Sequence, residues 1–409
     1  MRIGVPAMIA AAVLAGGCRS SDHTTASTVR LAAPVDYAPA AAKELAVRYL
    51  RDGALHRPTA GLTAPRTPED RRSLSTLERW LRSIPAQSVD LVAVPLAARP
   101  PDSARLFVTL RVRLGRGAGS VYVDAGRRLL LLHRGDAGWR VVADASDRPG
   151  SGVARSGLSA IPHARYTNAA GVVVVNAAGA AAVDVTRAEL GAAEFPRLVS
   201  RYSPAGYRRT PVIFLLRDWS QGGRIAGIAF PHELVGAEYR GLVFLDAAAW
   251  RRWGEIGGRG VVVHELTHVA SAHLVRGTPL SLVEGLARYE EEDYDRRAGA
   301  PLSDALLAGA YRRGYPTVVR WGWAIRNRWE LHAPVPIELA YDDGAAITRA
   351  VLSREGVAGL RRLAREFRRA GGGWFSPERL RSVFRAALPE PLSRVIARAH
   401  AQTFASAGG

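Results

Sequence analysis

The chain has 409 residues, 48% hydrophobic and 23% charged, which points to two domains with sizeable cores and excludes a disordered or collagen-like chain. Its single cysteine excludes an internal disulfide framework, a thiolate zinc cluster and an iron–sulfur site, so any metal must be held by histidines and carboxylates. The formal charge of +19 is carried by arginines, Lys43 being the only lysine, and is spread over both halves as a solvated basic surface, with no nucleic-acid-binding motif.

The chain opens with Met1-Arg2-Ile3 and an apolar run over 4–17 that ends Val13-Leu14-Ala15-Gly16-Gly17-Cys18. A charged start, a short apolar stretch and small residues before a cut site describe a secretory signal. The run is shorter than the ~20 residues that a membrane helix needs. Small residues directly before a cysteine resemble a bacterial lipobox, with Leu14 four positions ahead of Cys18. That resemblance implies a lipoprotein signal peptide over 1–18, lipidation at Cys18 and anchoring to the cell membrane outside the cytoplasm. A Ser/Thr-rich tether over 19–35 follows. The alternatives are an ordinary secretory signal with an incidental cysteine, or a retained membrane anchor.

Residues 36–148 read as a small α+β module. Ala42, Leu45, Ala46, Tyr49 and Leu50 recur at helical spacing and predict a helix over 36–56. After a Pro/Gly/Thr-rich break, a second helix is expected over 69–83. Five short strands are then predicted over 88–96, 105–114, 120–124, 127–133 and 139–143. Leu106, Val108, Leu110, Val112 and Leu114 alternate with other residues, as in a strand with two different faces. The closing Gly138-Trp139-Arg140-Val141-Val142 resembles the last strand of the nuclear-transport-factor-2-like cone. A spacer or docking role is expected for this module.

Residues 147–152 read as a linker. The second domain, 153–409, is expected to hold a small sheet followed by helices. Its predicted strands are 172–175, 211–216, 224–230 and 242–245. A helix is expected to begin at Thr186, where Thr186 and Glu189 fit a capping box, and to be interrupted or restarted at Pro196. The uncharged stretch 169–183 reads as a buried strand running into a loop.

The chemistry concentrates at Val261-Val262-Val263-His264-Glu265-Leu266-Thr267-His268. Residues four apart lie on one helix face, so His264 and His268 can reach one metal ion, with Glu265 beside them. The alternative is a charged helix with two surface histidines. The apolar residues before the motif argue for a buried helix, which would not hold two histidines and a glutamate without a partner. Sixteen positions after His268 comes Glu284, flanked by Leu282, Val283 and Leu286. A lone acid in that setting calls for a cation, which makes Glu284 the candidate third ligand. Gly285 and Ala287 keep its helix slim for packing against the first. Glu290, Glu291, Glu292, Asp293 and Asp295 read as a solvated helix end.

HExxH followed by an EGLA-type helix resembles the gluzincin zinc metallopeptidases, closest to the bacterial peptidase MA-like group. The likeness covers about 160–405 and includes the segment from Tyr341-Asp342-Asp343-Gly344 through Glu355-Gly356-Val357. It implies a zincin-like domain, Zn2+ held by His264, His268 and Glu284, and Glu265 as general base. Such a site leaves one coordination position for water, whose pKa zinc lowers toward ~7. Tyr341 resembles the tyrosine that stabilises the oxyanion in aminopeptidase-like relatives; packing at a helix start is the alternative. His332 and His273 are weaker candidates. By the same analogy, 224–229 would be an edge strand that pairs with an extended peptide. The expected whole is an α+β, membrane-anchored zinc metallopeptidase acting on a peptide or protein, with no nucleic-acid partner. A binding or scaffold lipoprotein that keeps the fold without turnover is the rival, and an enzyme inhibited by its own first module is another.

Overall fold

The computed structural model describes residues 39–96, 101–115, 119–177, 180–207, 209–228, 236–239, 241–251, 254–300, 304–314, 337–371 and 375–408. The leader, Cys18, the tether and His332 lie outside them. The described chain is a mixed α+β structure.

The first part opens with helices α1 (Ala40–Ala54) and α2 (Pro68–Ser83). Thr67 caps α2: its hydroxyl accepts the Asp70 N–H and Asp70 accepts the Thr67 N–H, both at 3.1 Å. Pro68 follows at the position where a missing N–H costs nothing. Strands β1 (Ala86–Pro95), β2 (Ser103–Leu114), β3 (Gly119–Ser120), β4 (Tyr122–Gly135) and β5 (Gly138–Asp144) come next. Four of them form an antiparallel meander in the order β1-β2-β4-β5. The two strands expected over 120–124 and 127–133 are instead one long strand. It bends at Gly126 (φ 102°), and its register with β2 shifts between Leu110 and Arg111. A Cβ at Gly126 would lie 2.4 Å from Ser159 Oγ and 2.7 Å from the Ser156 carbonyl oxygen. Glycine therefore lets the 3-10 turn Gly157–Ala160 close onto the bend.

The second sheet takes β6 (Arg165–Ala169), β7 (Val172–Asn176), β9 (Val212–Leu216), β10 (Gly236–Tyr239) and β11 (Leu242–Asp246) in the order β10-β11-β9-β7-β6. The short strand β8 (Arg209–Thr210) pairs with β3. The three inner strands run parallel and the two outer ones antiparallel to them. Both faces are buried. Val172, Val174, Ile213, Leu215, Val243 and Leu245 pack toward the helices. Val173, Val175, Val212, Phe214, Leu216, Ala237 and Phe244 join the same cluster as Tyr49, Leu81, Leu106 and Leu130 of the first part. Double burial is why these strands read as unbroken apolar runs.

Helices α3 (Ala182–Ala192), α4 (Phe195–Tyr202), α5 (Trp219–Ala226) and α6 (Ala247–Arg251) lie between the strands and before the long helix α7 (Gly254–Val275). Then come α8 (Leu280–Arg297), α9 (Asp304–Arg312), α10 (Ile337–Arg369), α11 (Pro377–Ala387) and α12 (Leu392–Gly408). Within α10, Gly356 (φ 59°, ψ −164°) breaks the helical backbone, so two helices meet there. Pro196 opens α4, as expected of a restart. The preceding helix begins at Ala182, four residues before the expected capping box. No helix among the described residues is long and apolar enough to cross a membrane.

One expected strand is a helix. Residues 219–226 form α5, capped by the Asp218 carboxylate on the Gln221 N–H (2.9 Å) and closed by Gly227 in the left-handed region (φ 71°). The Asp and Gly signals decide the segment, and the apolar spacing of Ile225 and Ile228 misleads. Ala229 and Phe230, at the end of that expected strand, lie outside the described residues. The outer strand beside α7 is β10 instead.

Candidate metal centre

Helix α7 is buried on all sides around the motif: Val261 to Leu266 are completely inaccessible. Its hydroxyls are satisfied internally, Thr267 donating to the Val263 carbonyl and Ser271 to the Thr267 carbonyl, each at 2.7 Å. Neighbours approach closely where side chains are absent. A Cβ at Gly191 of α3 would lie 2.6 Å from Val262 Cβ, and one at Gly260 would lie 2.5 Å from Asp295 Oδ1 of α8.

The helical spacing brings His264 and His268 together, edge to face with ring centroids 4.9 Å apart. Glu284 of α8 meets both: its Oε2 lies 3.3 Å from His264 Nε2 and 3.4 Å from His268 Nε2. All three residues are buried, and their ligand atoms lie within 4.8 Å of one another, so this group can hold a metal ion. A direct charge-assisted N–H···O bond would be shorter, about 2.7–2.9 Å. Nitrogen and oxygen ligands about 2.0–2.1 Å from a tetrahedral ion stand about 3.3–3.4 Å apart, which matches both contacts. His268 Nδ1 and Nε2, Glu284 Oε1 and both Glu265 oxygens are buried with no hydrogen-bond partner among the described residues. Burying so many polar atoms without partners is costly, and a cation at the centre would relieve it.

Electrostatics agree with the geometry. Burial alone would lower the His264 pKa, but the contacts with Glu284 and Glu291 outweigh it and hold it at about 10. Burial raises Glu284, yet His268 and His264 bring it down to about 2. Burial pushes Glu265 up to about 7 against the pull of His264 and His268, with Glu284 and Glu238 adding to the rise. A carboxyl poised near 7 can both accept and return a proton at neutral pH.

The acidic run after Glu284 is not a solvated helix end. Glu290, Glu291 and Glu292 are buried. Glu290 pairs with Arg197 (2.6 Å) and Arg201 (2.7 Å) of α4, and Tyr202 donates to it. Glu291 Oε2 lies 3.0 Å from His264 Nδ1, and its other oxygen lies 3.0 Å from Arg288. Arg288 also holds Asp342 of α10 at 3.0 Å, and Arg349 joins Glu292 to Asp304. The carboxylates are buried because arginines from three helices, α4, α8 and α10, neutralise them. Glu291, which the sequence reading places on the solvated helix end, is the residue that reaches the triad in the structure. Its signal was available: it follows Glu284 by seven positions, two helical turns, on the same face.

Gly285 does give α8 a slim face, but for α10 rather than α7. A Cβ there would lie 2.4 Å from the Gly344 carbonyl carbon. Tyr341 is buried one residue before Asp342 on α10. His273 is exposed in the last turn of α7, with Tyr207 as its ring neighbour at 6.1 Å, and is not part of the triad. On β10, Gly236 lies against the motif: a Cβ there would be 2.7 Å from Glu265 Oε1. No family model matches the chain, and no curated protein matches it.

Proposed function

We propose that the chain is a zinc-dependent peptidase of the gluzincin kind, with 153–409 as a zincin-like domain and the meander with α1 and α2 as a nuclear-transport-factor-2-like module. The observation that carries this reading is the buried His264–His268–Glu284 group with the unpartnered Glu265 carboxylate beside it. Two histidines and a glutamate are the donor set of catalytic zinc sites. A zinc ion held there supplies a Lewis acid that polarises a carbonyl and lowers the pKa of a water.

The chain's own residues do the rest. Glu265 takes the proton of the attacking water at its carboxylate and passes it to the nitrogen of the leaving amine. Glu291 accepts the His264 Nδ1–H and so keeps Nε2 turned toward Glu284 and His268, where it would give up its proton to bind a metal. The oxyanion needs a donor besides the metal, and Tyr341 is the candidate, on a helix that packs against the ligand helix α8. The outer strand β10 offers its backbone to an extended peptide next to Glu265. The substrate is then a peptide or an envelope protein, met outside the cytoplasm by an enzyme anchored through lipidated Cys18.

The deciding experiment measures zinc content and peptide cleavage for the wild type and Glu265→Gln. The expected result is one zinc in each and cleavage by the wild type alone. Zinc bound by both with no peptide cut by either would leave a binding lipoprotein with a silent metal site.

A further inference from the structure

Beyond His268, helix α7 runs on to an exposed basic face that neither the ligand set nor the base uses. Arg368 of α10 lies across its last turn: it donates to the Leu274 carbonyl oxygen at 2.7 Å, and a Cβ on Gly277 would lie 3.4 Å from its Cγ. A cation there meets the negative end of the α7 dipole. Arg361 and Arg365 precede Arg368 by seven and three positions and so share its side of the helix, while Leu360, Leu363, Ala364 and Phe367 turn into the core. Arg276 follows α7 directly, next to Gly277. Arg209 of β8 completes the group, its charge acting on His273 together with those of Arg361 and Arg368. All five arginines are exposed, and none makes an ion pair among the described residues. Their helix neighbours do: Arg362 pairs with Glu355 and Arg369 with Glu366, both at 2.6 Å. His273 registers the excess charge. Burial lowers its pKa, and Arg361, Arg209 and Arg368 lower it further against a hydrogen bond with the Tyr202 backbone.

Guanidiniums drawn from three segments of the chain make a broad positive face and no enclosed pocket, so the face gains most from an extended array of anions. We propose that the face of Arg209, Arg276, Arg361, Arg365 and Arg368 docks on an anionic phospholipid surface. The choice of lipid rests on the anchor in the proposed function. Cys18 lies 21 residues ahead of Pro39, where the described chain begins. Fully extended, that stretch spans about 70 Å, enough for this face to lie on the membrane. Attachment through Cys18 also holds the face at high local concentration. The docking itself needs neither an acyl chain nor catalysis. Each arginine at an anionic membrane contributes about fivefold in binding.

The test uses the full-length chain with Cys18→Ser, so that no acyl chain contributes, and vesicles of phosphatidylcholine alone or mixed with phosphatidylglycerol. Co-sedimentation is expected with the anionic vesicles and should weaken as salt is raised. Changing Arg361, Arg365 and Arg368 together to Gln should lose about 100-fold in affinity. Changing only Arg361 and Arg365 leaves the Arg368 contact with α7 in place and should still lose about 25-fold, so a folding defect at Arg368 does not decide the result. A charge-matched control changes Arg48, Arg82 and Arg296, exposed arginines held in ion pairs elsewhere, to Gln. It should bind far more tightly than the triple variant. Equal losses in the two overturn the proposal, because net charge and not this face would then bind. A parent protein that does not distinguish the two kinds of vesicle overturns it as well. Tighter binding to a DNA duplex at the same salt, lost in the same triple variant, overturns the choice of lipid in favour of a nucleic acid. The mass of Cys18 in the native protein tests the anchor separately. Anionic vesicles bound through this face with Cys18 unmodified would sink the anchor and keep the docking; a lipidated Cys18 with no such binding would do the reverse.

Discussion

Glu291 stands directly behind His264: its Oε2 is 3.0 Å from His264 Nδ1, while the opposite ring nitrogen lies 3.3 Å from Glu284. An ionised carboxylate can only accept, so it fixes the imidazole as an Nδ1–H donor and leaves Nε2 for a metal. Glu291→Ala is expected to weaken zinc binding by about 10–100-fold, and Glu291→Gln, which can still accept, by less. Competition with a chromogenic chelator measures this. Wild-type affinity in Glu291→Ala would mean that the contact does not orient the ligand.

Gly236→Ala should separate positioning from metal binding. The added methyl would meet Glu265 Oε1 at 2.7 Å, and the end of a flexible side chain can swing aside. The fold and the zinc content should therefore persist while the base moves. Displacing a reacting group by about 1 Å costs on the order of 100-fold in rate. The check is kcat for cleavage alongside zinc content and Tm; normal turnover would show that the strand does not set the position of the base.

Gly285 is a stability prediction. Its Cβ would sit 2.4 Å from the Gly344 carbonyl carbon, and a Cβ on Gly344 would sit 2.6 Å from the Ser281 carbonyl oxygen. Backbone cannot swing aside as a side-chain end can. Gly285→Ala should cost about 1–3 kcal/mol or more, seen as a lower urea midpoint, because α8 and α10 must move apart. An unchanged midpoint would mean that the two helices separate freely.

Metal uptake should depend on pH. Without the ion, burial lowers the His264 pKa, but Glu284 and Glu291 hold it up at about 10, so the ring is protonated at neutral pH. A metal accepts only the deprotonated nitrogen. Uptake should then release a proton, and apparent affinity should rise with pH, by up to about tenfold per unit below the His264 pKa. Calorimetry at pH 7 in two buffers of different ionisation enthalpy counts the protons. Uptake with none released would mean a neutral His264 before binding.

Much of the site was legible because it is local. His264, Glu265 and His268 follow from helical spacing alone, and the apolar flanks of Glu284 mark it as a buried acid. The three inner strands of the second sheet, β7, β9 and β11, are legible as unbroken apolar runs, whereas the outer strands β6 (RYTNA) and β10 (GAEY) carry no such run and go unpredicted. Two segments differ from the sequence reading, for different reasons. At 224–230 the apolar spacing suggests a strand, but the Asp218 cap and Gly227 in the left-handed region begin and end a helix, and α5 forms over 219–226. At 290–292 a run of acids reads as solvated surface, because apart from Arg288 on the same helix the arginines that neutralise it lie far away in sequence. Arg197, Arg201 and Arg349 sit on other helices and cannot be assigned to Glu290 or Glu292 from spacing.

The sequence by itself determined which groups share a helix face, since backbone geometry sets neighbours within two turns. It therefore carried the two histidines and Glu265, and the apolar flanks of Glu284 added the candidate third ligand. Only the tertiary structure decided which way those faces turn and what meets them. Glu291 reaches His264, Gly285 meets Gly344 and β10 brings Gly236 to Glu265 through packing between segments 20 to 60 residues apart. The physical reason is that a buried charge is tolerated only where a partner arrives, and here the partners come from other elements.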